Sequence, residues 1–180
     1  LITQRLFHGT KVRLTGRRPD DAAIMAAWME DDFYPRLVDT DFARPVSADS
    51  LAARESDADA SHVSFRIRTV ADDRLVGFCA LFNIEWNNRS ATLAIGIGKA
   101  EDRGKGFGAE ALQLLLRYAF MELNLHRLSL DVISYNEPAI RAYRRAGFKE
   151  EGRMREAVYR EGKRYDRLIM GLLKSEWQPC

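Results

Sequence analysis

Residues Arg103 to Leu112 read RGKGFGAEAL, three glycines at alternate positions running straight into good helix formers. Glycine reaches backbone angles closed to other residues and lets a ligand lie against the main chain. A glycine loop that opens a helix also aims unpaired N–H groups at one spot, where the helix dipole adds positive charge. That combination is an anion site, most often for phosphate. The fold turns on which phosphate loop this is.

Spacing excludes two of them. A nucleotide P-loop needs G-x-x-x-x-G-K followed by Ser or Thr. Five residues, not four, separate Gly98 from Gly104-Lys105, and Gly106 stands where the magnesium-binding hydroxyl belongs. A Rossmann fingerprint needs G-x-G-x-x-G after the first strand of a βαβ unit, whereas these glycines read G-x-G-x-G. A purely structural turn is the third reading, and three alternating glycines beside Arg103 and Lys105 are costly for that alone.

The loop is flanked by two kinds of pattern. Before it, Ser64 to Val70 alternates like a half-buried strand, Leu75 to Ile84 is nearly all apolar, and Ala91 to Ile97 is a third strand. Asp72-Asp73 and Asn87-Asn88 supply the turns of an antiparallel meander. After it, Gly106 to Glu122 carries a helical stripe of Phe107, Ala111, Leu114, Leu115, Tyr118 and Met121. Leu128 to Ile133 is a buried strand, and Asn136 caps a helix that holds Pro138 in its first turn and stops at Gly147. A hairpin turning at Glu161-Gly162-Lys163 closes the sheet with Arg167 to Leu173. Further out, Val12 to Thr15 is a strand, Pro19 to Trp28 a helix, Asp31 to Ser50 a loop and Ser50 to Ala58 a short helix. No linker interrupts the 180 residues, so the expectation is one α/β domain over residues 1–180 with a mixed, mostly antiparallel sheet flanked by helices.

Composition is ordinary for a globular chain, 46% hydrophobic and 30% charged, with net charge +2. That charge is too mild to argue for nucleic acid. No apolar run is long enough for a membrane span, and no secretory signal opens the sequence. Two cysteines, Cys79 and Cys180, suggest no disulfide framework, and a cytoplasmic home fits best. Three scattered histidines show no metal-ligand spacing, so no metal is expected. Residues 1–60 hold 8 Lys and Arg against 11 Asp and Glu, while residues 61–180 hold 20 against 15. An anionic ligand on the basic side and a cationic one on the acidic side would suit this split, as would chance scatter of solvated charge.

Arg103-Gly104-Lys105-Gly106-Phe107-Gly108 fits [Q/R]-x-x-G-x-[G/A], and with it the chain resembles the GCN5-related N-acetyltransferase family. Leu93 to Ile97 resembles the family's strand before the loop, Leu123 to Leu128 and Val132 to Asn136 its next strand and exit, and Asn136 to Phe148 its last helix. Glu151-Gly152 and Gly162 to Asp166 resemble its closing hairpin. The likeness covers roughly residues 75–173 and is strongest to the ribosomal-protein N-terminal and spermidine acetyltransferases. Residues 1–70 match loosely.

The resemblance implies a splayed strand pair holding acyl-CoA, with acetyl-CoA as co-substrate. Ile95, Gly96 and Ile97 line its pantetheine arm. Gly104 to Ala109, among them Lys105, Gly106, Phe107 and Gly108, bind its pyrophosphate. Arg103, Lys105 and Arg145 add charge, and Asn136, a helix cap in any case, also touches donor or acceptor. Tyr143 is the expected general acid for the departing thiolate, against a plain core tyrosine. Glu85 is the expected base or acceptor anchor, against a rim glutamate, because an acceptor amine arrives as ammonium and must lose a proton. Trp28, Phe33, Tyr34 and Phe42, mixed with Glu30, Asp31, Asp32, Asp39 and Asp41, are candidates for the acceptor wall, with core packing the simpler reading of Trp28. The expected activity is acetyl transfer to a primary amine: a protein N-terminus, a polyamine or a small amine. A non-catalytic acyl-CoA sensor or scaffold is the alternative, and a homodimer fits the family.

Overall fold

The computed structural model describes residues 5–56 and 60–178; Cys180 and the expected helix end at Ala58 lie outside them. Alternating apolar residues zip β2 (Val63–Thr69), β3 (Leu75–Glu85) and β4 (Ser90–Ile97) into the expected meander, with β1 (Val12–Thr15) antiparallel on the edge of β2. After β4 come α4 (Phe107–Arg117), extended by a π turn over Tyr118–Glu122, then β5 (Arg127–Ile133), α5 (Glu137–Arg145), β6 (Lys149–Arg160) and β7 (Lys163–Leu173). One seven-stranded sheet results, in the order β1-β2-β3-β4-β5-β7-β6.

Only β4 and β5 run parallel, and they pair for just three residues, Ser90–Thr92 against Arg127–Ser129. Beyond Thr92 and Ser129 the two strands part and leave a wedge that opens toward Ile97 and Ile133. Leu93, Leu130, Val132, Met170 and Leu172 bury one face of the sheet under α4 and α5. On the other face α1 (Asp21–Trp28) and α2 (Tyr34–Val38) set Trp28 and Tyr34 against Leu75 and Phe78, and α3 (Ala48–Ser56) leans on α1. The sequence predicts a loop for residues 31–50; the structure instead forms α2 within it, with Pro35 at its start where a missing N–H costs nothing.

The first strand is tied to the glycine loop's helix by one carboxylate. Glu110, in the first turn of α4, accepts hydrogen bonds from the Thr10, Lys11 and Val12 amides and the Thr10 hydroxyl, at 2.6–2.9 Å. Burial pushes its pKa up, but these bonds, that of the Thr10 hydroxyl foremost, outweigh it and leave the carboxyl below its ordinary value. The folded chain therefore binds this proton less readily than the unfolded one. The stabilisation is complete above the usual glutamate range and is lost as pH falls through it. Glu110→Gln should cost about 1–3 kcal/mol at pH 7. Urea titrations of the two proteins should converge as the pH falls below the ordinary glutamate range.

Candidate active site

The glycine loop sits at the open end of the wedge. Gly104 and Gly106 take φ of +76° and +88°, and Gly106 leads into α4 with no side chain capping the helix. The first-turn amides of Phe107, Gly108 and Ala109 are thus free of a side-chain acceptor, and they are the groups that hold an anion at a helix start. Space at Gly104 is open on its Cβ side, and Gly108 clears Ile97 by an ordinary contact of 3.4 Å. Lys11, which sequence reasoning did not single out, reaches under the loop. Its Nζ donates to the Lys105 carbonyl at 3.0 Å and lies 3.0 Å from where a Gly106 Cβ would stand. The donor set, amides at a helix start backed by Lys11 and Lys105, fits a pyrophosphate. Gly106→Ala combines a left-handed backbone with a crowded Lys11. It should cost about 1–2 kcal/mol of stability and weaken CoA binding about tenfold in a calorimetric titration. Gly104→Ala carries the same backbone cost without the contact.

Asp102 braces the loop from behind. It is 1% exposed and takes both Arg74 guanidinium nitrogens, at 2.7 and 2.9 Å, with Lys105 Nζ at 3.7 Å. The Arg74 hydrogen bond leads the causes that lower its pKa. Arg103, expected beside the phosphates, points elsewhere. Its guanidinium donates to the Ile97 and Gly98 carbonyls, stands 3.7 Å from Asp31 and lies over the Tyr34 ring, which ties the end of β4 to the α1–α2 segment. Arg145 is exposed on the last turn of α5.

One face of the β4 arm is built around small residues. A Cβ on Gly96 would lie 3.2 Å from the Tyr34 hydroxyl and 3.1 Å from Val38, and one on Gly98 would strike the Trp28 ring at 2.1 Å. Ile95 and Ile97 pack on the opposite face, toward α4. Trp28 is 4% exposed, so the simpler core reading holds for it. Tyr34 is likewise buried, and burial drives its pKa up against the opposing pull of Arg103 and Arg66. Phe33 and Phe42 of the expected wall are open to solvent, each 67% exposed.

At the exit of β5, Tyr135 and Asn136 reach across to α2. The Tyr135 hydroxyl donates to the Arg36 carbonyl, and Asn136 Nδ2 donates to the Leu37 carbonyl at 3.1 Å. Asn136 Oδ1 meanwhile caps α5 through the Ala139 amide at 3.4 Å. The Asn136 side chain is thus engaged both in capping α5 and with α2. With Tyr34 and Val38 on β4 and these two bonds to β5, α2 straps the two arms of the wedge together. The tip of the β6–β7 hairpin holds the same segment, through Arg36–Glu161 at 2.7 Å and Arg160 to the Asp39 and Asp41 carbonyls.

Tyr143 lies on α5, within the core that covers the sheet. It is 8% exposed, T-shaped against Phe148, and its phenol is pushed up to about 12 by burial first and by the nearby charge of Asp131 second. Glu85 does not join it. That residue pairs with Ser90 at the closed end of the strands, where its carboxylate accepts from Asn88 Nδ2 at 2.6 Å and the Ser90 hydroxyl at 3.2 Å. Ser90 stands four residues before Ala94 on β4, about 13 Å along a strand. The physical reason is a bulge at Asn83, φ +51°, after which β3 curls into the hairpin. Among the described residues no cluster of three His, Cys, Asp or Glu side chains is placed to hold a metal, and no helix is long and apolar enough to cross a membrane.

The family model described as Acetyltransferase (GNAT) domain matches residues 11–149. A Bacillus subtilis protein named as a ribosomal N-acetyltransferase, YdaF, is 37% identical over 59% of this chain and 58% of its own length. The spermidine N(1)-acetyltransferase of Vibrio cholerae is 36% identical over 59% of this chain and 61% of its own. A crystal structure of spermidine N-acetyltransferase from Vibrio cholerae in complex with CoA and spermine superposes with a TM-score of 0.83 at 26% identity. That match covers 93% of this chain and 98% of that one.

Proposed function

This chain belongs to the acetyltransferase (GNAT) domain family and is an N-acetyltransferase that draws on acetyl-CoA; within that activity we propose that its acceptor is a polyamine or a comparably slender polycation. The observation that carries this reading is the charge of the acceptor side. Residues 30–41, which include the α2 strap, hold Glu30, Asp31, Asp32, Asp39 and Asp41 against a single Arg36. Asp32, Asp39 and Asp41 are exposed there beside Phe33 and Phe42, each ring 67% exposed. Carboxylates interleaved with aromatic faces attract a cation with an apolar stem. The likeness to a chain that binds CoA and spermine supports the same reading.

The chain's residues divide the work. The amides of Phe107 to Ala109, with Lys11 and Lys105, hold the pyrophosphate. The unpaired strand edges of the wedge hold the pantetheine arm, and a backbone N–H on that edge polarises the thioester carbonyl. Tyr143, still protonated at neutral pH, returns a proton to the departing thiolate. The test is release of free thiol from acetyl-CoA with spermidine, spermine, peptides beginning Ser, Ala or Met, and an aminoglycoside. Spermidine or spermine should give the highest kcat/KM. A higher value for a peptide would move the acceptor to protein N-termini. CoA binding without turnover of any acceptor would leave the sensor or scaffold reading.

A further inference from the structure

The glycine loop is rooted on a charge of the wrong sign for its ligand. Asp102 is buried two residues before Gly104, and a buried carboxylate beside an anion site works against binding. Its partners show what it does there. Arg74 comes from the β2–β3 turn, where its amide donates to the Thr69 hydroxyl at 3.0 Å and its carbonyl accepts from the Thr69 amide at 3.0 Å. The guanidinium is shared between two acids. Nη1 and Nη2 donate to the two Asp102 oxygens, while Nε stands 3.6 Å from Asp72. Lys105 Nζ stands 3.7 Å from Asp102 Oδ1, the oxygen that already accepts from Arg74 Nη2. The lysine contact is therefore the longer of the two, and half of the Lys105 side chain is open to solvent. Lys105 itself lies in the loop, between Gly104 and Gly106.

We propose that Asp102 is a positioning residue that draws Lys105 back from the pyrophosphate site when the loop is empty, and that Asp102 and Arg74 together set how firmly the loop holds CoA. The inference rests on the donor site described above and adds how its grip is limited. Acetyl-CoA and the CoA product carry the same pyrophosphate, so strength gained for one is gained for the other and does not speed turnover. A loop with every cation turned on its ligand would keep its product as firmly as its donor. Pyrophosphate, the more highly charged anion, takes Lys105 from its long contact with Asp102, and the contact re-forms as CoA leaves. Arg74 acts with the opposite sign. It offsets the charge of Asp102, and without it the carboxylate holds Lys105 harder.

Calorimetric titration of CoA into Asp102→Asn, Arg74→Gln and each of these combined with Lys105→Met tests this. Asp102→Asn should bind CoA about 3- to 10-fold more tightly than wild type, and Arg74→Gln about 3- to 10-fold more weakly. Both variants break the same ion pair, so a pair that only braces the loop weakens binding in both, and that result overturns the proposal. Most of each effect should vanish in the Lys105→Met background. Effects that persist there in full overturn the role given to Lys105. In steady-state kinetics KM for acetyl-CoA and the inhibition constant of CoA should move by the same factor, with KM for the acceptor unchanged. If Asp102→Asn does not fold, the loss in Arg74→Gln and its disappearance without Lys105 decide the matter alone. A wild type that binds no CoA overturns the donor site, and the inference with it.

Discussion

Tyr143→Phe should lower kcat about 100- to 1,000-fold, the usual contribution of a positioned general acid, while CoA affinity stays within twofold. The phenol is buried, and its pKa of about 12 keeps the proton in place far above neutral pH. A raised value means the folded state holds that proton more tightly than the unfolded chain does. The acid form is therefore intact at pH 7 and is lost only as pH climbs through about 12. A CoA thiolate has a pKa near that of a free thiol, about 8.5, so this transfer runs uphill and is completed when the amide nitrogen's second proton restores the phenol. Phenylalanine keeps the ring against Phe148, so the thermal midpoint should barely move. The pairing of unchanged stability and CoA affinity with lost turnover separates an acid from a core tyrosine. A kcat within threefold of wild type would assign Tyr143 to packing alone.

Asp21→Ala should cost about 3–5 kcal/mol, the range for breaking a buried ion pair from one side. Asp21 opens α1 and is 1% exposed. It accepts from the Arg18 amide at 2.8 Å and from Arg68, and Arg66 Nε lies 3.7 Å from its other oxygen. The two arginine side chains come from alternate positions of β2 and are 3% and 6% exposed. Without the carboxylate two buried guanidinium groups lose an acidic group that they share. Urea unfolding reads the loss. Repeating the substitution in an Arg66→Met/Arg68→Met background should shrink the cost well below that figure, because the ion pairs that the carboxylate makes are already gone. An equal cost in both backgrounds would show that α1 is held by packing and by the Arg18 contact instead.

The order and type of most elements were legible because they rest on local patterns: alternation in β2 to β4, the apolar stripe of α4, and the Asn136 cap with Gly147 at the far end of α5. The glycine loop announced an anion site from its own residues, and its neighbours carried the family likeness. What stayed hidden depends on partners far along the chain. α2 has five residues and no pattern of its own; Tyr135 and Asn136, some 99 residues later, hold its carbonyls. Arg103 reads as a phosphate ligand until the α1–α2 segment offers it Asp31 and the Tyr34 ring. Glu85 reads as catalytic until the bulge at Asn83 turns it into a hairpin.

The strap over the wedge is gripped by its main chain. Tyr135 and Asn136 bond the carbonyls of Arg36 and Leu37, and Arg160 bonds those of Asp39 and Asp41. A carbonyl is the same whatever residue bears it. Substitutions at positions 33, 37, 39 and 41 leave these four anchor points standing while they redraw the surface an incoming amine meets. Descendants of this chain can therefore change what they acetylate one residue at a time, without first passing through a form whose strap has come undone.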